Sequence, residues 1–118
     1  MNTVEGATYT LVQDLAKHQE IPQDGILTRT VFDGDHLKTV LFTFSKGQEL
    51  SEHTASTPAV LHFLEGSARL TLGHETMEVR SGAWVHMPAQ MCHGIHALTP
   101  VKMLLLLIKH SDQGKNGG

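Results

Sequence analysis

Nine histidines stand in this 118-residue chain, as many as its lysines and arginines together. Imidazole is the commonest side-chain metal ligand and the usual proton carrier near neutral pH, so their placement is the first question. His53, His62, His86, His93 and His96 fall on or beside consecutive short apolar runs, whereas His18, His36, His74 and His110 lie in turns or near the termini. Ligands contributed by different strands converge when a sheet closes on itself, so the first group is the one with chemistry to offer. The single cysteine, Cys92, precedes His93 directly. Adjacent residues of an extended chain point to opposite faces, so the two form no nucleophilic dyad, and Cys92 reads as a small buried apolar residue. Met87, Met91 and Cys92 are soft donors suited to Cu(I), although methionine serves far more often as core filler. Glu49, Glu52 and Glu65 sit at strand ends as solvated charge. The chain shows no glycine-rich phosphate loop, catalytic-triad pattern or basic–aromatic stripe.

The elements that must carry these residues are strands. Turn chemistry recurs every 8–14 residues, at Asp33-Gly34-Asp35, Lys46-Gly47, Gly66-Ser67, Gly73-His74, Ser81-Gly82, Pro88 and Pro100. Between these marks lie GILTRTVF, HLKTVLFTF, AVLHFL, ARLTL, TMEVR, AWVHM, GIHAL and VKMLLLLIK. Alternation is plain where Ala68, Leu70 and Leu72 oppose Arg69 and Thr71, and where Met77 and Val79 oppose Glu78 and Arg80. No interior segment is long and amphipathic enough for a helix. The spacing therefore predicts an all-β fold, an antiparallel sandwich or barrel over 25–110. Residues 1–24 are a short helical or irregular lead-in that packs on the barrel or a partner, and 111–118 form a disordered tail. The last run is apolar on both parities, so it is covered on both faces, by the core and by either a subunit partner or the N-terminal segment.

Composition narrows the function. A chain of 12.9 kDa holds one domain, and its formal charge of −3 advertises neither nucleic acid nor an anionic membrane as partner. The longest unbroken apolar run, Met103 to Ile108, is too short to span a bilayer, and the start MNTVEGATYT carries no signal-peptide pattern. With one cysteine there is no intrachain disulfide framework, which fits a reducing, cytoplasmic setting.

Two spaced motifs add a family. The stretch Gly47-QELSE-His53-T-Ala55-STP-Ala59-VLHFLE-Gly66 resembles the first motif of the cupin family, G-x5-H-x-H-x3-E-x6-G, with Gly47, His53 and Gly66 in register. Gly82-AWVHM-Pro88-A-Gln90-MC-His93-GIH-Ala97 resembles the second, G-x5-P-x-G-x2-H-x3-N, with Gly82, Pro88 and His93 in register. The resemblance covers roughly residues 25–109 and implies a jelly-roll β-barrel, a homodimer, and a metal held by two histidines and a glutamate of the first motif and a histidine of the second. Carried over residue by residue, His53 and His93 match, but Ala55 and Ala59 stand at the second histidine and the glutamate. Gln90 replaces the second-motif glycine and Ala97 the asparagine.

Two imidazoles are a poor divalent metal site, so a third ligand is required. His62 and His86 are the candidates. If Ala59 points inward, strand parity sends Leu61 and Phe63 inward as well and turns His62 away unless a bulge intervenes. For His86 the parity is open, because Ala83, Val85 and Met87 are apolar while the other face offers Trp84. Two functional expectations follow. In the first, a small-molecule-binding cupin holds Zn, Fe, Ni, Mn or Cu through His53 and His93 with His86 or His62, and performs dioxygenase-, isomerase- or lyase-type chemistry. In the second, the loss of ligands at Ala55 and Ala59 leaves a metal-free barrel that binds a small molecule. No catalytic residue is assigned in either.

Overall fold

A computed structural model of the protein describes residues 3, 4 and 7–109. The expected tail at 111–118 and His110 lie outside the described residues. Eleven strands run β1 (Thr3–Val4), β2 (Ala7–Thr8), β3 (Ile26–Asp33), β4 (Leu37–Phe44), β5 (Glu49–His53), β6 (Ala59–Glu65), β7 (Ser67–Leu72), β8 (Glu75–Arg80), β9 (Trp84–Met87), β10 (His93–Ala97) and β11 (Val101–Ile108). The only helical element among the described residues is a 3-10 turn at Leu15–Lys17. No described helix is long and apolar enough to cross a membrane.

Nine of the strands make two antiparallel sheets, a five-stranded one ordered β3-β4-β11-β6-β9 and a four-stranded one ordered β5-β10-β7-β8, and β1 pairs with β2 in a separate two-stranded ribbon. The chain passes between the two larger sheets six times, most sharply at two corners. Gly66 alone separates β6 from β7, and Leu98-Thr99-Pro100 separate β10 from β11. This is a jelly-roll sandwich, in which each inward-facing parity supplies one half of the core.

That core follows the alternation read from the sequence. Phe44, Leu61, Phe63, Met103 and Val101 come from the five-stranded sheet and meet Ala68, Leu70, Ile95 and Ala97 of the four-stranded one. Each large side chain so buried contributes roughly 1.5–3 kcal/mol, which is what offsets the entropy of ordering this much strand.

A second, smaller buried layer lies on the outside of the five-stranded sheet. Leu41, Val60 and Leu104 are buried, yet they have the opposite parity to the core residues. On this face the N-terminal segment crosses β4 and β11 as a strap and lies over Leu104. Gln19 donates to Thr43 Oγ1 at 3.1 Å, Thr43 Oγ1 to the Glu20 carbonyl at 3.3 Å and Arg29 to the His18 carbonyl at 3.0 Å. The Lys102 ammonium reaches the Ala16 carbonyl. Of the two covers that the doubly apolar β11 called for, the core is one and this strap is part of the other.

β5 was absent from the runs marked by hydropathy, because Glu49-Leu-Ser-Glu-His53 is mostly polar and exposed. Its register against β10 explains why it still matters. His93 pairs with His53 and Ile95 with Leu50, so β5 spends three steps where β10 spends two. The extra residue is a β-bulge, and it reverses the facing parity between Leu50 and His53.

Candidate functional site

His53 and His93 face each other across neighbouring strands. They are direct cross-strand partners, and their ring centroids lie 4.3 Å apart with the planes tilted by 54°. Without the bulge, His53 would take the parity opposite to Leu50's inward one and leave the pair. His93 is buried and His53 exposed, so the pair runs from the interior to the mouth of the sandwich.

Both rings are oriented the same way. His53 Nδ1 lies 2.9 Å from the Ser51 carbonyl oxygen, and His93 Nδ1 lies 3.1 Å from that of Met91. A carbonyl only accepts, so each Nδ1 carries a proton and donates it. In the neutral rings the lone pair is then on Nε2, which no hydrogen bond among the described residues engages. The site therefore presents two pre-oriented acceptors at one end of an apolar interior.

Around the pair, the two motifs are stitched together by backbone. The Gln90 amide donates to the Ala55 carbonyl at 2.8 Å, and the Gly73 amide to that of Cys92 at 2.8 Å. Ala59 opens β6 opposite Met87, buried within the core. Gln90 adopts φ = 71°, a left-handed conformation that costs a side-chain-bearing residue about 1 kcal/mol and a glycine nothing. This is the position where the motif carries glycine. Gln90→Gly is accordingly expected to raise stability by roughly 0.5–1 kcal/mol, seen as a higher midpoint in urea unfolding. A lower midpoint would show that the Gln90 side chain compensates for its backbone.

The remaining sequence candidates lie elsewhere. β6 and β9 pair His62 with Trp84 and Val60 with His86, and this parity is the one opposite to inward-facing Ala59, Leu61 and Met87. His62 is half-buried and His86 exposed, both on the outside of the five-stranded sheet. The three-histidine arrangement with His53 and His93 is thus not assembled, for the reason parity gave for His62. His96 also points outward, 3.6 Å from the Glu49 carboxylate. Cys92 likewise faces out: its Sγ contacts the Glu52 carboxylate at 3.5 Å, and desolvation together with that carboxylate pushes the thiol's pKa up. A thiol held protonated is a poor nucleophile, but the side chain is half-exposed on the outer face and not the buried apolar residue expected from the sequence.

Among the described residues, no three His, Cys, Asp or Glu side chains converge as metal donors. A divalent transition ion wants at least three protein ligands, and here the donor set is two imidazoles, with alanine at the other two motif positions, 55 and 59. The residues present do not fit a three- or four-ligand centre.

The profile of the cupin domain family matches residues 40–108. The chain is a cupin. Among solved structures it is similar to the conserved protein SPY1581 of unknown function from Streptococcus pyogenes. That match has 32% identity over 94% of this chain and 97% of the other, with a TM-score of 0.78. A cupin superfamily protein from Desulfitobacterium hafniense is 21% identical over 86% of this chain and 95% of its own, again with a TM-score of 0.78. KdgF from Halomonas sp. is 20% identical, covers 90% of this chain and 99% of its own, and has a TM-score of 0.73. At those two identities the likeness is one of fold. No curated protein matches the chain. For this cupin the family's metal ligand positions are half retained, His53 and His93 present, Ala55 and Ala59 in place of the others.

Proposed function

We propose that this cupin binds a small polar molecule through the His53–His93 pair, without a divalent metal in the barrel. The observation that carries the reading is the shared orientation of the two rings, each donating Nδ1–H to a carbonyl two residues back on its own chain. A ligand bearing hydroxyl or amino hydrogens donates to the two Nε2 atoms. Its less polar body meets the apolar interior that Ala55 and Ala59 leave without metal donors. The expectation of a nonstandard metal centre with oxygenase- or isomerase-type chemistry loses its support once His62 and His86 are on the far side of the sheet.

The test is a binding screen of small hydroxylated and aminated metabolites against tag-free protein, read by thermal shift and calorimetry. A hit should weaken by roughly 10–100-fold in His53→Ala/His93→Ala, the loss expected for two hydrogen bonds of about 1 kcal/mol each and their desolvated surroundings. Binding that survives the double substitution places the ligand elsewhere. Stoichiometric Zn, Fe, Ni, Mn or Cu in desalted wild-type protein, absent from the double variant, would overturn the metal-free reading.

A further inference from the structure

The outer face of the four-stranded sheet holds a polar trough of about 240 Å³. Along its floor run Gly94 and His96 of β10, between Glu49 and Glu52 of β5 on one side and Arg69 and Thr71 of β7 on the other. The register fixes the layout: Glu49, His96, Arg69 and Glu78 make one cross-strand row over all four strands, and Thr71 stands beside Gly94. β10 has a neighbour on both sides, where a side chain is the rule, and a glycine in such a strand marks a close approach. Gly94 is not one of the glycines with positive φ, so its backbone does not call for the residue. What a Cβ there would meet is Glu52 Cγ at 3.0 Å and the Leu50 carbonyl oxygen at 3.3 Å. The bulge of β5 thus lays the Glu52 stem over β10, and the missing side chain keeps the floor open.

The two walls differ in charge, and neither has its match within the protein. Among the described residues Glu52 has the Cys92 thiol at 3.5 Å, and Glu49 has the His96 imidazole at 3.6 Å, longer than a hydrogen bond. Arg69 makes no ion pair among the described residues, although Glu78 is its cross-strand partner. Thr71 Oγ1 lies 3.2 Å from Thr76 Oγ1, which can donate to it and leave the Thr71 hydrogen for another acceptor.

We infer that this trough binds a small zwitterion, an α- or β-amino acid, with its ammonium group on Glu49 and Glu52 and its carboxylate on Arg69 and Thr71. Two strand spacings, about 10 Å, separate β5 from β7. A charge-assisted hydrogen bond of about 2.8 Å at each end leaves about 4 Å between the charges of the ligand, the reach of an α- or β-amino acid. A lone anion would face two carboxylates, and a lone amine would leave Arg69 unanswered, so the walls select for both charges together. The trough lies on the opposite side of β5 and β10 from the inward-facing His53 and His93 rings, so it is a second site, independent of the one proposed above.

L-alanine or β-alanine, titrated into the full chain, should shift the amide NMR signals of Gly94, Thr71 and His96 and bind with a dissociation constant below about 1 mM by calorimetry. Acetate and ethylamine, each with one of the two charges, should bind at least about 10-fold more weakly. Arg69→Gln and Glu52→Gln each remove one charge from an exposed side chain, so both variants fold, and each should weaken binding by roughly 10-fold or more. Lys38→Ala, on the other sheet, should leave it unchanged. The same titration in His53→Ala/His93→Ala tells the trough from the histidine pair: binding that persists belongs to the trough, and binding that is lost overturns the inference. No response to either amino acid up to about 10 mM would also overturn it, as would acetate binding equally well or indifference to Arg69→Gln or Glu52→Gln.

Discussion

Replacing Ala55 with His and Ala59 with Glu is expected to give a chain that retains about one equivalent of divalent metal, where the wild-type chain, on the metal-free reading proposed above, retains none. Half of the family's donor set is present and paired, and the other two motif positions carry alanine. His53 and His93 are cross-strand partners with rings 4.3 Å apart, and the Gln90–Ala55 backbone hydrogen bond holds the two motifs together. Ala59 is buried with its methyl group in the core at the start of β6. Two imidazoles become three imidazoles and a carboxylate, a set that binds Zn, Fe, Ni or Mn in roughly the micromolar range or tighter.

The single substitutions separate ligation from packing. Ala59→Glu buries a carboxylate where a methyl group stood, which costs several kcal/mol in the absence of a counter-ion. Its melting temperature should therefore fall in chelator. In the double variant metal should restore it, by about 2.7 kcal/mol when free metal stands 100-fold above its dissociation constant. Elemental analysis after desalting and thermal melts with and without chelator give the two readouts. A folded double variant that takes up no metal would mean that something besides the two alanines disarms the site. A wild-type chain that already retains metal would sink the premise.

How much of this was legible beforehand depends on the residue. That Ala59, Leu61 and Phe63 share one face and His62 takes the other follows from the two-residue period of a strand, and the burial of the first three shows that theirs is the inward one. His86 could not be placed that way, because both parities of AWVHM are credible core faces. The pairing of β9 with β6 decides it, sending Trp84 and His86 outward together. β5 was hidden for a different reason. Its residues are polar because it is a short, largely exposed edge strand, and hydropathy alternation fails at its bulge. Only the motif glycine at 47 and His53 marked that something ordered lay there. The strap over Leu104 was legible only as a need: β11 is apolar on both faces, so something had to cover the second. Which segment did so depended on hydrogen bonds from Gln19, Arg29 and Lys102, contacts between residues far apart in sequence. The Gln90 conformation was foreshadowed by the motif, since glycine's usual place there points to a positive φ.

Gly66→Ala should destabilise the fold by about 3–5 kcal/mol. Two costs coincide at this residue. Its φ of +88° belongs to glycine, and a Cβ there would sit 2.0 Å from the Pro100 carbonyl oxygen and 2.8 Å from Thr99 Oγ1. The first atom is backbone and cannot swing away. Relief requires the corner between β6 and β7 to part from the corner between β10 and β11. Those corners are tied by the Ser67 amide donating to Thr99 Oγ1 at 2.9 Å, and by the Leu98 and Thr99 amides donating to the Ser67 carbonyl at 3.0 and 3.3 Å. They are also two of the six places where the chain passes between the two main sheets, so loosening them loosens both halves of the core at once. A domain of this size has only about 5–15 kcal/mol in total, and each kcal/mol moves its melting temperature by roughly 4 °C. Calorimetry should therefore show a fall of 12 °C or more. Thr99→Val keeps the glycine but removes the hydroxyl that caps Ser67, and should cost only about 1–2 kcal/mol. If Gly66→Ala costs no more than Thr99→Val, the corner is softer than its backbone contact implies, and the two sheets are joined mainly through the core.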